Sequence, residues 1–170
     1  VNTIKEADIE KAIDLIEKAK KPYIFVGGGV TISGASEELA EFVEKVDAPV
    51  ADTLMGKGAY PGDSPRYTGM VGMHGTKSSN LGITKCDLLI TIGARFSDRV
   101  TGNTKKFARD AKILQIDVDA AEVNKNIHTD ASVIGDANAV LKILNERLTK
   151  QHHEKWMKEV EELKKVYPLT

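Results

Sequence analysis

Two arginines, Arg95 and Arg99, stand four residues apart in the stretch Gly93-Ala94-Arg95-Phe96-Ser97-Asp98-Arg99-Val100-Thr101-Gly102. A guanidinium offers a rigid fork of donors, so such a pair beside glycines that expose backbone suits a bidentate grip on a pyrophosphate. Surface ion pairs with Asp98 or Asp87 are the competing use of the same charges, and residue chemistry leaves both open. Gly27-Gly28-Gly29-Val30 directly follows an apolar run. Glycines placed there let a phosphate approach backbone N–H groups. The dinucleotide fingerprint G-x-G-x-x-G started at Gly27 needs glycine at position 32 and meets Ile32, so an NAD signature fails. Asp52, tempting as a ribose ligand, loses its support with it. The bland alternative for Gly27 to Gly29 is a tight strand-to-helix turn needing positive φ.

Asp117 closes the run Ile113-Leu114-Gln115-Ile116, where a carboxylate can accept ribose hydroxyls. Asp119 is suited to capping a helix that opens at Ala120-Ala121-Glu122, and Asp136, after Gly135, to capping the helix that opens at Ala137 or to reaching an adenine-side group. His74 sits alone in Gly72-Met73-His74-Gly75 with no nucleophile or paired acid at readable spacing, which favours ligand packing or loop fixing over catalysis. His152 and His153 lack the further ligands a metal site requires. Cys86 precedes an apolar strand and reads as a small core residue rather than a reactive thiol. No catalytic residue and no metal ligand is assigned.

These residues need a scaffold that places strand ends side by side. Ile9, Ala12, Ile13, Ile16 and Ala19 recur at helical spacing, with Asp8 as the expected cap and Pro22 beyond the end. Tyr23-Ile24-Phe25-Val26 is apolar throughout, as a strand covered on both faces requires. The alternation continues through a helix at 35–46, a strand at 49–52, a Gly-rich loop and a helix at 77–84. Strands at 88–92, 113–118 and 132–134 follow, then a helix at 137–148. The predicted fold is α/β: a doubly wound, Rossmann-like, mostly parallel sheet of about six strands with helices on both faces and ligand-binding loops at the strands' carboxyl ends. Residues 1–149 form one domain, and the charged segment 150–170 reads as a solvated helix or linker leading toward a further domain.

Composition narrows the function classes. The chain has 170 residues, and Lys+Arg 24 against Asp+Glu 25 gives a net charge of -1, so neither a nucleic-acid nor a membrane partner is indicated. One cysteine excludes an internal disulfide, and no apolar run is long enough for a membrane span. A cytoplasmic location is expected. The N-terminus shows no signal-peptide pattern, in keeping with that location, and the missing initial Met suggests an excerpt from something longer or a processed product. All 14 glycines lie between Gly27 and Gly135, within the part that carries the candidate chemistry.

Taken in order, Lys21 to Val30, Thr53-Leu54-Met55-Gly56-Lys57-Gly58, Gly69 to Gly75, Gly93 to Gly102 and Ile116 to Asn126 closely resemble the middle domain of the acetohydroxyacid synthase (acetolactate synthase) family. The resemblance covers nearly the whole chain. Ser97, where many members have aspartate, and Ala120, where proline is common, depart from the pattern. The resemblance implies a domain that holds FAD in an extended pose with a largely structural role, flanked by domains that bind thiamine diphosphate and Mg2+. The family condenses two pyruvates, or pyruvate and 2-oxobutyrate, with loss of CO2 on the route to branched-chain amino acids. Its subunits form homodimers or homotetramers and work with a small regulatory subunit.

Carried over by position, the resemblance puts Gly27, Gly28, Gly29, Thr53, Leu54 and Met55 near the flavin's phosphate and ribityl region. Gly72, Met73 and His74 go to the flavin side. Gly93, Ala94, Arg95, Asp98, Arg99 and Val100 fall at the diphosphate, and Asp98 and Arg99 also border the substrate channel. Asp117, Val118, Glu122, Gly135, Asp136 and Ala137 fall at the adenosine half. The fragment alone is expected to be inactive. The rival is a flavin-free scaffold domain of a related thiamine-diphosphate decarboxylase or carboligase.

Overall fold

The computed structural model describes residues 4–53, 56–70, 77–94, 111–119 and 129–167. Their elements run α1 (Glu6–Lys18), β1 (Pro22–Val26), α2 (Gly28–Ser33), α3 (Ser36–Val46), β2 (Val50–Asp52), β3 (Tyr67–Met70), α4 (Lys77–Lys85), β4 (Leu88–Ile92), β5 (Lys112–Asp117), β6 (Ala131–Ile134), α5 (Ala137–Arg147) and α6 (Glu154–Val166). The six strands form one sheet in the order β3-β2-β1-β4-β5-β6, and every pairing is parallel. This is the doubly wound architecture anticipated from the alternating pattern.

Side-chain alternation along the strands splits the core in two. Ile24, Val26, Val50, Ile90, Ile92, Leu114 and Ile116 face a large cluster with Ile9 and Ile16 of α1, Val30 of α2, Leu39 and Phe42 of α3, and Leu141 and Leu144 of α5. Tyr23, Phe25, Ala51, Leu89 and Ile113 face a smaller one with Ile83, Cys86, Trp156 and Val160. Strands buried on both faces account for the uninterrupted apolar runs at 22–26 and 88–92.

Three features differ from the sequence expectation. Tyr67–Met70 forms an edge strand inside the stretch read as a Gly-rich loop. Lys5, not Asp8, is the N-cap of α1, and Asp8 lies within the first turn, where its charge still suits the helix dipole. The segment from 150 onward contains the expected helix, but the helix is docked. Trp156 is 2% exposed, donates its indole N–H to the Pro22 carbonyl at 2.7 Å and meets Tyr23 edge to face at 6.4 Å. Ahead of α6, Gln151 N–H donates to the Lys45 carbonyl, and the Asp47 carboxylate accepts from His153 N–H and pairs with Arg66 at 2.8 Å. Trp156 and Val160 are the buried residues of this largely charged helix, and the indole brings the larger share of the apolar area.

Candidate functional site

Connections from β1 and β4 depart in opposite directions along the sheet, so the carboxyl ends of these neighbouring strands form the topological switch point of the fold. Val26 and Ile92 are register partners there. Gly27 N–H donates to Ile92 O at 2.9 Å, Gly93 N–H to Ile116 O at 2.9 Å and Thr53 N–H to Val26 O at 3.0 Å, while Gly135 N–H donates to Asp117 O at 2.9 Å. Thr53, Gly27, Gly93, Asp117 and Gly135 therefore make one row across the carboxyl edge from β2 to β6. Four strand spacings give this row a width of about 19 Å, which suits an elongated ligand lying across several strands.

Glycine at the switch point is demanded by close approach. A Cβ on Gly27 would lie 2.4 Å from Gly93 O and 2.5 Å from Ala94 Cα, and one on Gly93 would lie 2.7 Å from Gly29 Cα. Gly93 also has φ +62, in the left-handed region. Gly27 has φ -113, so the positive φ anticipated for the Gly27 to Gly29 turn is absent at that residue, and the need for glycine is steric. The two loops zip together, Gly29 N–H donating to Gly93 O at 3.0 Å. Two of the three N–H groups in Gly27 to Gly29 are thus spent inside the protein, and Gly28 begins α2.

Asp117 ends β5 with 8% exposure, and its Oδ1 accepts Asp119 N–H at 3.0 Å in an Asx-type turn. Val118 beside it is 72% exposed, an apolar side chain left bare at the same edge. Asp136 caps α5, its carboxylate accepting Ala139 N–H, the cap role favoured by the sequence in the absence of a ligand, and Ala137 opens that helix. Asp52 is 1% exposed beneath the β2 end. Tyr67 donates its hydroxyl to Asp52 Oδ1 at 3.0 Å, and among the described residues Oδ2 has no hydrogen-bond partner. Burial pushes the Asp52 carboxyl up against the lowering effect of Tyr67 and Lys57. A carboxyl so enclosed agrees with discounting Asp52 as a ribose ligand.

Of the predicted site residues, Gly27, Gly28, Gly29, Thr53, Gly93, Ala94, Asp117, Val118, Gly135, Asp136 and Ala137 share the carboxyl edge. Leu54, Met55, Gly72, Met73, His74, Arg95, Asp98, Arg99, Val100 and Glu122 lie outside the described residues, as does the helix expected after Asp119. Asp87, one suggested partner for the arginines, accepts Lys20 and Lys21 N–H at 2.8 Å each, at the end of β4 opposite to the one leading into Arg95. Cys86 is buried with its Sγ 3.0 Å from Ile83 O, and among the described residues no group of three or more His, Cys, Asp or Glu could hold a metal ion. No described helix is long and apolar enough to cross a membrane. Sequence reasoning missed the buried Asp52–Tyr67 pair and the contact of Gly27 with Gly93. Neither leaves a local sequence signal, since the partners meet only through the sheet.

The family model for the central domain of thiamine pyrophosphate enzymes matches residues 9–144. A probable acetolactate synthase large subunit of Methanocaldococcus jannaschii is 52% identical over 161 residues, covering 93% of this chain and 27% of the relative. The acetolactate synthase isozyme 2 large subunit of Escherichia coli is 44% identical over 146 residues, 86% of this chain and 27% of its own length. An acetolactate synthase of Mycobacterium bovis is 40% identical over 169 residues, with 95% and 27% covered. The chain spans about a quarter of the length of these curated relatives.

Proposed function

Because the chain belongs to the thiamine pyrophosphate enzyme central-domain family, we propose that it is the middle domain of an acetolactate synthase large subunit and that it holds FAD along the carboxyl edge of its sheet. The observation that carries this reading is the row Thr53, Gly27, Gly93, Asp117 and Gly135, which gathers residues from four separate sequence motifs into one edge at the switch point. Two features of this edge support such a group. Glycine packing leaves backbone rather than side chain facing the switch point, and Asp117 supplies a carboxylate of the kind that accepts ribose hydroxyls. Gly27 to Gly29, with Thr53 to Met55, would lie along the phosphate and ribityl region and Gly72 to His74 along the flavin. Gly93 to Arg95 with Asp98 to Val100 would take the diphosphate, and Asp117, Val118, Glu122 and Gly135 to Ala137 the adenosine. FAD supplies no net redox step in this reading; its contribution is to hold the domain against its neighbours.

The subunit as a whole would condense two pyruvates, or pyruvate and 2-oxobutyrate, using thiamine diphosphate and Mg2+ bound by flanking domains. It would work in the cytoplasm as a homodimer or homotetramer with a small regulatory subunit, and the domain alone would be inactive and bind FAD weakly. One observation favours the rival scaffold reading: the N–H groups of Gly27, Gly29 and Gly93 are already spent on backbone carbonyls. Purification of the intact subunit separates the two. A yellow protein with one flavin per subunit supports the proposal, and a colourless, fully active one overturns the FAD assignment in favour of the scaffold. A submicromolar FAD affinity of the domain alone would refute the weak-binding expectation.

A further inference from the structure

Where the chain passes from α5 to α6, the partly buried ring of His153 bridges the ends of two other helices. Its Nδ1 lies 3.2 Å from the Asp47 carbonyl oxygen and its Nε2 lies 3.0 Å from the Ala19 carbonyl oxygen. Ala19 is the C-cap of α1 and Asp47 the C-cap of α3, while His153 itself is the N-cap of α6. A carbonyl oxygen only accepts, and a neutral imidazole has one N–H and one lone pair. Both contacts are therefore hydrogen bonds only when both ring nitrogens carry protons. The neutral ring, in either tautomer, turns a lone pair toward one of the carbonyls. Both acceptors also stand at helix C-termini, where the helix dipoles favour a cation.

The elements that meet here bring other charged side chains with them. They are Glu17, Lys18, Lys20 and Lys21 at the end of α1, Glu44, Lys45 and Asp47 at the end of α3, Arg66 and Asp87 ahead of β3 and β4, and Lys150, His152 and Glu154 beside His153. Burial pushes the Asp47 carboxyl up, but His153 N–H and Arg66, 2.8 Å away, outweigh it and hold the group below its usual range. Asp47 is thus anionic at any working pH, and its charge offsets that of Arg66. Of the remaining groups only His152 is of a type that changes charge between about pH 5 and 8. Its side chain is 67% exposed and lies 3.6 Å from Glu154, so it serves as a control. The Trp156 indole, bonded to the Pro22 carbonyl, follows His153 by less than one helical turn, so the ring and the indole anchor the same end of α6.

We propose that His153 is a proton-dependent staple, which ties α6 to the ends of α1 and α3 when its ring carries both protons and loosens that helix when one proton leaves. The docked state uses both ring protons and the open state neither, so the ring's contribution is present at low pH and is lost as pH rises. Hydrogen exchange of the Trp156 indole N–H tests it, because Trp156 is the single tryptophan and its N–H is bonded to Pro22 while α6 is docked. Exchange is measured on the full chain, and its slowing relative to free tryptophan at the same pH gives a protection factor. From pH 5.5 to pH 8 this factor is expected to fall about tenfold in wild type and in His152→Gln, the loss of about one charge-assisted hydrogen bond. In His153→Gln it should stay level. The staple is overturned if wild-type protection is level over this range, or if His153→Gln keeps the fall. Should His153→Gln not fold, NMR of the wild-type ring protons decides. Two His153 ring N–H protons at pH 5.5 that exchange more slowly than those of His152 support the staple, and a His153 ring proton exchanging as fast as those of His152 overturns it.

Discussion

Replacing Gly93 by alanine tests the switch point directly. The residue has φ +62, so an alanine there costs roughly 1–2 kcal/mol in backbone strain. Its Cβ would also lie 2.7 Å from Gly29 Cα and 2.9 Å from Val30 N. Both are backbone atoms with no rotamer to yield, and such overpacking costs about 1–3 kcal/mol. The sum, about 2–5 kcal/mol, corresponds to a fall of about 4–20 °C in melting temperature for a chain of this size. Two partner variants separate the contributions. Gly34 has φ +68 and nothing within 4 Å of the place a methyl group would occupy, so Gly34→Ala carries strain alone. Gly27 has φ -113 and a 2.4 Å clash, so Gly27→Ala carries sterics alone. Urea unfolding followed by fluorescence of Trp156, the single tryptophan and a buried one, reads all three on one scale. Gly93→Ala should cost more than Gly34→Ala by at least about 1 kcal/mol. Equal costs would show that the loops part easily and would refute the argument that β1 and β4 are locked by backbone contact.

Two further outcomes follow from buried ionisable groups. Burial raises the Asp52 carboxyl above its unfolded value, so its favourable contribution is fully present below the unfolded value and is lost as pH rises through the folded one. Asp52→Asn keeps an oxygen for Tyr67 and does not titrate; its urea midpoint should improve relative to wild type on going from pH 4 to pH 8, and a relative decline would refute the assignment. Burial, with Asp87 nearby, pushes the Cys86 thiol up to about 12. An aromatic disulfide reagent at pH 8 should therefore label Cys86 only as the protein unfolds, and complete labelling within seconds of mixing in native buffer would contradict its burial.

Periodicity makes much of this fold legible. The 3.6-residue spacing at Ile9, Ala12 and Ile16 and the unbroken apolar runs at β1 and β4 each have one physical explanation, and both kinds of element are there. Tyr67–Met70 escapes notice because Thr68 and Gly69 interrupt the apolar pattern and because neighbouring glycines and prolines read as turns. An edge strand needs less apolar surface than a central one, so its signal is weaker. The docking of α6 is hidden for a related reason: it depends on two residues, Trp156 and Val160, in a segment whose mean character is charged. At the candidate site, reading Gly27 to Gly29 as a positive-φ turn gives an incomplete cause for the glycines. The turn at Gly27 reflects contact with Gly93, and no local pattern reports a partner that is 66 positions away.

The pairing of β1 with β4 also bears on how the chain comes to be folded. Pro22–Val26 is one of the two central strands, yet one of its neighbours, Leu88–Ile92, is synthesised 66 residues later. At ribosomal speeds of about 5–20 residues per second, that edge stays open for roughly 3–13 s. During that interval Tyr23, Ile24, Phe25 and Val26 present an apolar, unpaired strand edge of the kind that recruits other chains. Substitutions that slow the arrival or closure of β4 should therefore raise aggregation during synthesis more than their effect on equilibrium stability would suggest.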